Sequence, residues 1–301
     1  MRIPVNYVFL EGPDLSGKTS LYQGVHRSTG FEWNIQDRSA LSMLCYARQY
    51  GRDASRWREQ LSCEINHLNN KIVVLLPSAD TLVSRFRERG DDFQTESSLL
   101  KLRDLFEEEA SQIASYPNVL IVRTEMGRQD LIDHVVHWIR ASIDRKPHSL
   151  ADDIRDHAAA SGGETFRLTV DACLGQGFHD KNVACLDVKE ERDYYARIRR
   201  AFRDKIRNER AGLNEYSVPQ RETSRRFIHA EDTCISLLHA MVRGRKLHLT
   251  AALRSSNVSS TLPHDLDFIY LLAEDAHIDI GVSAGFESDL HLSIQSAHLA
   301  P

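Results

Sequence analysis

The sequence predicts an α/β fold, in which a parallel sheet carries helices on both faces, followed by a second domain of α+β type. Over residues 7–143, short apolar runs alternate with amphipathic helical stretches, as in strand–helix repeats. A polar, broken stretch at 144–164 separates this half from a remainder that opens on a β-prone run, Phe166 to Val170. At 301 residues the chain has the length of about two domains. We therefore predict domains at 1–145 and 165–301, joined by a linker at 146–164.

Composition narrows the class of protein. The net charge of −5 excludes a generally basic nucleic-acid binder, so any contact with a polynucleotide must be local. No apolar run approaches the ~20 residues of a membrane span, and no signal peptide precedes the first strand. The five cysteines show neither a CxxC pair nor zinc spacing, which suits a reducing compartment. We expect a cytoplasmic protein without membrane contact.

The first motif binds phosphate. Tyr7 to Leu10 reads as a buried strand, and residues 12–19 fit G-x-x-x-x-G-K-[ST] ahead of a helix. This P-loop context predicts backbone N–H groups around the phosphates of ATP, with Lys18 on the β/γ-phosphates and the Thr19 hydroxyl on Mg²⁺. The alternative is a glycine turn with a chance Lys-Thr after it. The predicted nucleotide-binding residues are Gly12, Pro13, Asp14, Leu15, Ser16, Gly17, Lys18 and Thr19.

A second strand should end beside this loop. Phe31, Trp33 and Ile35 alternate as in a strand, which would place Asp37 and Arg38 at its carboxyl end, where open α/β sheets bind ligands. Asp37 could accept the proton of an attacking hydroxyl or help to hold Mg²⁺, and Arg38 could bind a phosphate. A strand-end salt bridge is the alternative.

Arginines recur in the helices that follow. Residues 40–70 read as helical and carry Arg48, Arg52, Arg56 and Arg58, spaced too loosely to name a ligand. The predicted helix Ala79 to Arg89 ends in three arginines that could close over a triphosphate, or could simply complement the helix dipole. We include two of them, Arg85 and Arg89, with Lys18, Asp37 and Arg38 as catalytic candidates. The other predicted elements are strands at 71–76 and 119–122 and helices at 99–114 and 131–143.

These motifs resemble the thymidylate kinase family over about residues 5–143. The P-loop, the Asp37-Arg38-Ser39 strand end and the segment from Pro77 to Gly90 each resemble the corresponding family motif. The resemblance implies Mg²⁺-dependent phosphoryl transfer from ATP to a thymidine-like acceptor, with Asp14 facing that acceptor. One feature departs from the family. Only about twenty residues separate Lys18 from Asp37, so the strand and helix that carry the family's acceptor-phosphate arginine cannot fit.

The second half opens with a strongly basic helix at 190–210, in which Tyr194, Tyr195 and Phe202 interleave with arginines. This helix is the sequence's best local candidate for DNA contact. Five acidic residues intermix with the basic ones, so a solvated amphipathic helix is an equal alternative.

The remainder resembles thymidylate synthases in the order of its motifs. Cys234 stands twenty residues before Arg254, as the family's nucleophilic cysteine stands before a phosphate-binding arginine. The resemblance implies that Arg254 and Ser255 bind a nucleotide phosphate, that Arg225 and Arg226 do so from the partner subunit of a homodimer, that His291 meets the deoxyribose and that Asp265 meets the pyrimidine edge.

Several positions depart from the synthase pattern, among them Thr233, Ile235, Asn257, Asp265 and Ser293, and the domain is about half a full synthase. We interpret it as a pyrimidine-recognition module that has lost methyl transfer, with Cys234 as an ordinary buried cysteine.

Together the two halves resemble phage enzymes that phosphorylate 5-hydroxymethyluracil in DNA during thymine hypermodification. We expect an ATP- and Mg²⁺-dependent kinase acting on a pyrimidine in DNA, located in the host cytoplasm. One alternative is a deoxynucleoside monophosphate kinase, either alone or bifunctional with a synthase activity. The other is a nucleotide-regulated DNA-binding protein.

Overall fold

The structure, a computed structural model, describes residues 2–123, 125–143, 147–174, 189–211, 225–230, 234–243, 246–280 and 287–299. The chain divides into two compact units. Val5–Ile143 forms the P-loop unit, and Met1–Pro4 with Asp144–Pro301 forms the C-terminal unit.

The P-loop unit is built on a four-stranded parallel sheet. Its strands are β1 (Val8–Glu11), β2 (Ile35–Asp37), β3 (Lys71–Leu75) and β4 (Val119–Val122), in the order β2-β1-β3-β4. Every residue of β1 and β3 is buried, as expected for strands covered on both faces. Because the strands are parallel, β1 and β2 end at the same edge of the sheet.

Helices cover both faces of this sheet: α1 (Lys18–Thr29), α2 (Ala40–Gln49), α3 (Ser55–Ile65), α4 (Ala79–Arg89), α5 (Glu96–Ile113) and α6 (Arg128–Ala141). Alternate strand residues enter two separate hydrophobic cores. Phe9 and Val74 pack with α2, α3 and α5, whereas Val8 and Val73 pack with α1 and α6. The predicted fold class, a parallel sheet with helices on both faces, is confirmed.

Two boundaries differ from the sequence prediction. Residues 31–34 do not join β2, because the backbone is left-handed at Gly30 (φ 62°) and Phe31 (φ 62°), which ends α1 in a turn. Phe31 is consequently 73% exposed rather than part of a strand. The helical stretch predicted over 40–70 breaks between α2 and α3, where Gly51 is also left-handed (φ 64°).

In its described residues, the C-terminal unit combines a mixed sheet with three helices. Its elements are α7 (Pro147–Ala160), β5 (Glu164–Leu174), α8 (Lys189–Ala211), β6 (Arg225–Ala230), β7 (Ile235–Arg243), β8 (Lys246–Leu253), β9 (Ser256–Asn257), α9 (Leu262–Ile280) and β10 (Glu287–His298). The sheet order is β5-β10-β8-β7-β6, and β9 pairs with β10. The β8–β10 pair is parallel, with α9 between the two strands in the chain, and the β10–β5, β8–β7 and β7–β6 pairs are antiparallel.

One face of this sheet is apolar. Every second residue of β8, from Leu247 to Leu253, is buried, as are Leu290, Leu292 and Ile294 of β10. Much of the segment predicted as a linker, 146–164, forms α7, which packs against α9, β5 and β10. Leu150, Ile154 and Ala158 are its buried stripe, spaced four residues apart in an otherwise polar segment. Within the described residues, no helix has the length and apolarity needed to cross a membrane.

Candidate active site

The loop between β1 and α1 has the backbone of a phosphate cradle. Gly12 and Gly17 adopt φ values of 136° and 102°, and Leu15 lies between them at φ 60°. A Cβ at Gly12 would stand 2.3 Å from the Leu75 carbonyl oxygen, so the loop crosses β3 at a distance that only glycine allows. Helix α1 begins at Lys18, directly after this loop, so its N-terminal dipole end lies beside the loop.

Lys18 is folded onto the loop. Its Nζ donates to the carbonyl oxygens of Gly12 (2.8 Å) and Pro13 (2.7 Å), and the residue is only 6% exposed. Burial, followed by the nearby charge of Arg38, lowers the pKa of Lys18 to about 8. The ammonium group is thus preorganised in a dry position, where a phosphate oxygen could replace the two carbonyls as its partner.

Most of the residues predicted for the two motifs line one cavity of about 260 Å³, whereas Gly12 and Pro13 are not part of its lining. Asp37 and Arg38 reach it from the end of β2, and Arg89 reaches it from the end of α4. The P-loop contributes the rest of the wall together with Ser20 and Gln23 of α1. The contributing loop residues are Asp14, Leu15, Ser16, Gly17, Lys18 and Thr19.

Two oxygen donors of this cavity fit a magnesium ion. The Thr19 and Asp37 side chains are both exposed, and both line the cavity. A hydroxyl and a carboxylate, completed by phosphate oxygens and water, are ligands that Mg²⁺ prefers. The described residues contain no cluster of three or more His, Cys, Asp or Glu side chains suited to a metal, so such an ion would depend on the nucleotide.

Asp14 connects three elements that the sequence could not bring together. Its carboxylate accepts from Arg38 Nη2 (2.5 Å), from the Tyr46 hydroxyl (2.7 Å) and from Gln94 Nε2 (3.2 Å). Burial and this hydrogen bond to Asp14 raise the pKa of Tyr46 well above its ordinary value, so Tyr46 remains a donor. Tyr46 and Gln94 were not predicted as site residues.

Glu11 was not predicted from the sequence either. This last residue of β1 is fully buried, and its carboxylate accepts from the Ser39 backbone N–H (2.6 Å), from the Ser39 hydroxyl (2.6 Å) and from the Ser42 hydroxyl. Burial raises the pKa of Glu11, and the three donors act against that rise. Arg38, just before Ser39, has a left-handed backbone (φ 79°), so Glu11 holds the strained turn that presents Arg38 to the cavity.

The three arginines that end α4 separate in the structure. Arg85 Nη1 donates to the Leu15 carbonyl (2.8 Å) inside the P-loop, and Arg89 lines the cavity. Arg87 points elsewhere and pairs with Glu96 at 3.3 Å. Residues four apart share a helix face, which explains why Arg85 and Arg89 both meet the loop.

Three of the synthase-like positions meet in the C-terminal unit. The Arg254 backbone N–H donates to the Cys234 carbonyl (2.8 Å), which places Arg254 and Ser255 at the end of β8 beside the start of β7. Cys234 is exposed, which corrects the expectation of a buried cysteine. The reason is its position just before β7, outside the apolar face of the sheet.

The other synthase-like positions are dispersed. Asp265 is only 3% exposed and accepts from the Tyr195 hydroxyl (2.7 Å) and the Ser256 hydroxyl (3.1 Å), so both carboxylate oxygens are engaged inside the unit rather than facing a ligand. His291 Nδ1 lies 2.6 Å from Asp171 Oδ1, and this hydrogen bond raises the pKa of His291.

Arg225 and Arg226 lie on β6, opposite Val242 and Met241, at the far end of β7 from Cys234. Their side chains fall outside the described part of the chain. In the strand register of one chain these two positions lie away from the start of β7, where Arg254 lies, and their phosphate contact from a partner subunit stays a prediction.

Helix α8 buries two of the three aromatic residues on which its DNA prediction partly depended, and the third, Tyr194, is half-buried. Tyr195 and Phe202 are buried, and Tyr195 packs on Phe268 of α9 at a ring distance of 4.6 Å. Arg199 pairs with Asp275 (2.5 Å). The helix thus packs an apolar stripe inward, and its DNA contact stays a prediction.

No protein-family model and no curated protein sequence matches the chain. Two kinds of solved kinase structure resemble less than half of this chain, over nearly the whole of their own length. One is a deoxyadenosine kinase from M. mycoides with bound dCTP (13% identity, 45% of this chain and 99% of that chain, TM-score 0.34). The other is an unliganded sugar kinase from Janibacter sp. HTCC2649 (18% identity, 46% of this chain and 95% of that chain, TM-score 0.31). Likenesses of this strength do not establish a shared activity.

Proposed function

We propose that the P-loop unit is an ATP- and Mg²⁺-dependent phosphotransferase. The observation that carries this proposal is the cavity in which the P-loop, Lys18 and Thr19 meet Asp37, Arg38 and Arg89. A site that only binds a nucleotide needs no more than the backbone cradle of the P-loop. A carboxylate and two arginines aimed at the same space are the additional groups that phosphoryl transfer uses.

Each side chain has a role in the proposed transfer. Lys18 leaves the Gly12 and Pro13 carbonyls and pairs with the β/γ-phosphates, while Arg38, Arg85 and Arg89 neutralise charge that develops on the transferred group. Thr19 and Asp37 would hold Mg²⁺, which supplies charge neutralisation and orientation of the phosphates. Asp37 has a second possible role, acceptance of the proton from the attacking hydroxyl, and the geometry leaves both roles open.

For the acceptor, we propose the hydroxymethyl group of 5-hydroxymethyl-deoxyuridine in DNA. Two features support it. Strand β2 is the edge of the sheet in the described part of the chain, so no further strand there encloses a free nucleotide on that side. The C-terminal unit carries the synthase-like order of Cys234, Arg254, Ser255 and His291, and we propose that it recognises the extruded pyrimidine nucleotide or its neighbour.

A free deoxynucleotide or nucleoside is the second candidate acceptor, and the contacts of Asp14 favour it. Asp14, Tyr46 and Gln94 form a hydrogen-bonded polar group next to the P-loop, which could read the sugar or base of a small acceptor. In that case the ion pair between Asp14 and Arg38 would open when the acceptor binds.

The test is transfer of labelled γ-phosphate from ATP to a panel of acceptors. The panel contains DNA with 5-hydroxymethyluracil, the same DNA with thymine, and the corresponding free nucleosides and monophosphates. We expect label in the hydroxymethyl DNA alone, and a loss of about 10²–10⁴ in rate for Asp37→Asn. Label on the free monophosphates alone would assign the second candidate, and no label on any acceptor, with intact ATP binding, would overturn the kinase proposal.

A matched control is available on α1. Arg27 is exposed near the end of that helix, outside the cavity lining. Arg27→Gln should transfer phosphate at the wild-type rate, whereas Arg38→Gln should not.

A further inference from the structure

The four arginines of the α2–α3 stretch fall into two classes. Arg48 and Arg58 both pair with the buried Glu109, at 2.5 Å and 2.9 Å, and Arg48 also reaches Glu108. Arg52 and Arg56 are exposed, and the described residues give neither of them an ion pair. Two of the four arginines therefore hold α5 to the unit, and two remain available to a ligand.

Each available arginine lies over an aromatic ring. The Arg52 guanidinium carbon is 5.4 Å from the Tyr50 ring centroid, and that of Arg56 is 5.2 Å from the Trp57 ring. The same pairing occurs in the active site, where Arg38 lies 5.1 Å from the Tyr46 ring. Such cation–π contacts hold a guanidinium flat while its N–H groups stay free for an anion.

The rings form a row that begins at the cavity. Tyr46 and Tyr50 are near-parallel, with centroids 6.5 Å apart and an interplanar angle of 11°. Tyr50 is 53% exposed, so an aromatic surface continues outward from Arg38. We call this surface the Tyr50 strip, and it consists of Arg38, Tyr46, Tyr50, Arg52, Arg56 and Trp57.

Arg38 of the strip is paired with Asp14 at 2.5 Å, but no acidic group is paired with Arg52 or Arg56 in the described part of the chain. Asp53 lies between the two available arginines, and its carboxylate accepts from the Ser55 N–H and hydroxyl, both at 3.0 Å, at the start of α3. Those hydrogen bonds lower its pKa, so it stays charged, but it opposes two guanidinium groups. Glu108 and Glu109 are engaged by Arg48 and Arg58.

We propose that the Tyr50 strip binds a single-stranded segment of DNA next to the acceptor nucleotide. Guanidinium groups beside the exposed ring of Tyr50 and the half-buried rings of Tyr46 and Trp57 suit a single strand. The charges follow phosphates, and an exposed ring stacks on unpaired bases of any sequence. A duplex would present only its phosphates, since its bases are stacked on one another. The strip therefore favours a polymeric acceptor, and its link to the active site rests on the proposed kinase function.

This assignment replaces a basic helix with a more suitable surface. In α8 the rings of Tyr195 and Phe202 are buried and Arg199 is paired, and Tyr194 is half-buried with the Arg197 guanidinium 5.9 Å from its ring. In the strip the ring of Tyr50 is exposed and Arg52 is without an ion pair in the described part of the chain.

The experiment measures binding of a fluorescent 20-nucleotide single strand to the full chain by anisotropy, without ATP. Tyr50→Ala should weaken binding about tenfold, the loss typical of one base–aromatic stack, and Tyr50→Phe should retain it. The double variant Arg52→Gln with Arg56→Gln should reduce the slope of log affinity against log salt by about 0.7 for each phosphate that is no longer neutralised.

Matched controls come from the opposite face of the sheet. Phe31→Ala removes a ring that is 73% exposed, and Arg27→Gln removes an exposed arginine on α1. Both should bind the strand as the wild type does. Equal losses in the controls, unchanged binding in the strip variants, or tighter binding of duplex than of single strand would each overturn the proposal.

Failure here is distinguishable from failure of the kinase proposal, because strand binding is scored without phosphate transfer. If the wild type binds the strand through the strip but labels no DNA, only the proposed function falls. If it labels hydroxymethyl DNA but the strip variants bind normally, only the strip falls.

Discussion

At the scale of single residues, Lys18 couples the site to pH. Its pKa of about 8 means that the ammonium form, which phosphate binding needs, is lost above that value in the free protein. We expect the affinity for ATP to fall as the pH rises from about 7 to about 9.5, across that pKa. Lys18→Met should bind ATP about 10- to 100-fold more weakly at neutral pH, in line with one charged hydrogen-bonding group, and should show no such pH step.

The same lowered pKa of Lys18 makes the free energy of unfolding depend on pH. Between pH 8 and the ordinary value of 10.5, the unfolded chain binds a proton at Lys18 that the folded chain does not. The contribution of Lys18 to the free energy of unfolding therefore rises with pH across this window, and Lys18→Met removes that rise. Isothermal titration calorimetry and urea denaturation at several pH values measure the two effects. A pH-independent affinity for ATP in the wild type would contradict the assignment.

Substitutions of Glu11 test whether the site depends on the hydrogen bonds of this residue or on its negative charge. Glu11→Ala leaves three donors of Ser39 and Ser42 without their acceptor and opens a buried space, which costs about 2–4 kcal/mol in the free energy of unfolding. Because the Arg38 turn loses its anchor, the rate of transfer should fall as well. Ser42→Ala removes one donor and should lose less than half as much stability.

If Glu11 acts by positioning Arg38, a substitution that preserves its shape should preserve the rate of transfer. Glu11→Gln keeps the shape and an acceptor oxygen, so it should restore most of the rate while changing its dependence on pH. If the rate of transfer in Glu11→Gln stays as low as in Glu11→Ala, the negative charge of Glu11 is itself needed, through its electrostatic effect on Lys18.

At the scale of elements, α1 packs closely against α6 at Gly24. A Cβ at Gly24 would stand 2.2 Å from Ile132 Cδ1 and 2.7 Å from its Cγ1, although alanine is the better helix former by about 1 kcal/mol. We expect the overlap to dominate, so that Gly24→Ala destabilises the unit by about 1–3 kcal/mol. In the double variant with Ile132→Ala the two losses should not add, and thermal denaturation of the four proteins measures the coupling. Additive losses would show that the helices do not meet here.

Local sequence patterns predict several elements of the P-loop unit but not the contacts between residues far apart in the chain. Strands β1, β3 and β4 and helix α4 follow from local apolar patterns, and the P-loop follows from a motif within eight residues. The contacts of Asp14 with Tyr46 and Gln94 span 32 and 80 residues, and no local pattern encodes them. The basic helix was predicted correctly as a helix. The sequence left DNA contact and a solvated face as alternatives for it, because a local pattern cannot say which partner an amphipathic face meets.

At the scale of the whole molecule, the chain consists of two compact units. All three tryptophans, Trp33, Trp57 and Trp138, belong to the P-loop unit, so tryptophan fluorescence follows the unfolding of that unit alone. The strands of the C-terminal unit contribute to the far-ultraviolet circular dichroism, which follows both units.

Nucleotide should therefore shift the unfolding midpoints reported by fluorescence and by circular dichroism by different amounts. A ligand that binds only the folded P-loop unit adds about 2.7 kcal/mol to its free energy of unfolding at a hundredfold excess over the dissociation constant. We expect MgATP to raise the fluorescence midpoint by several degrees, and a second dichroism transition to stay where it was. Lys18→Met should abolish the shift without moving the midpoint of the second transition. Equal shifts of both signals in MgATP would mean that the units unfold as one, so that the C-terminal unit senses nucleotide through the fold as a whole.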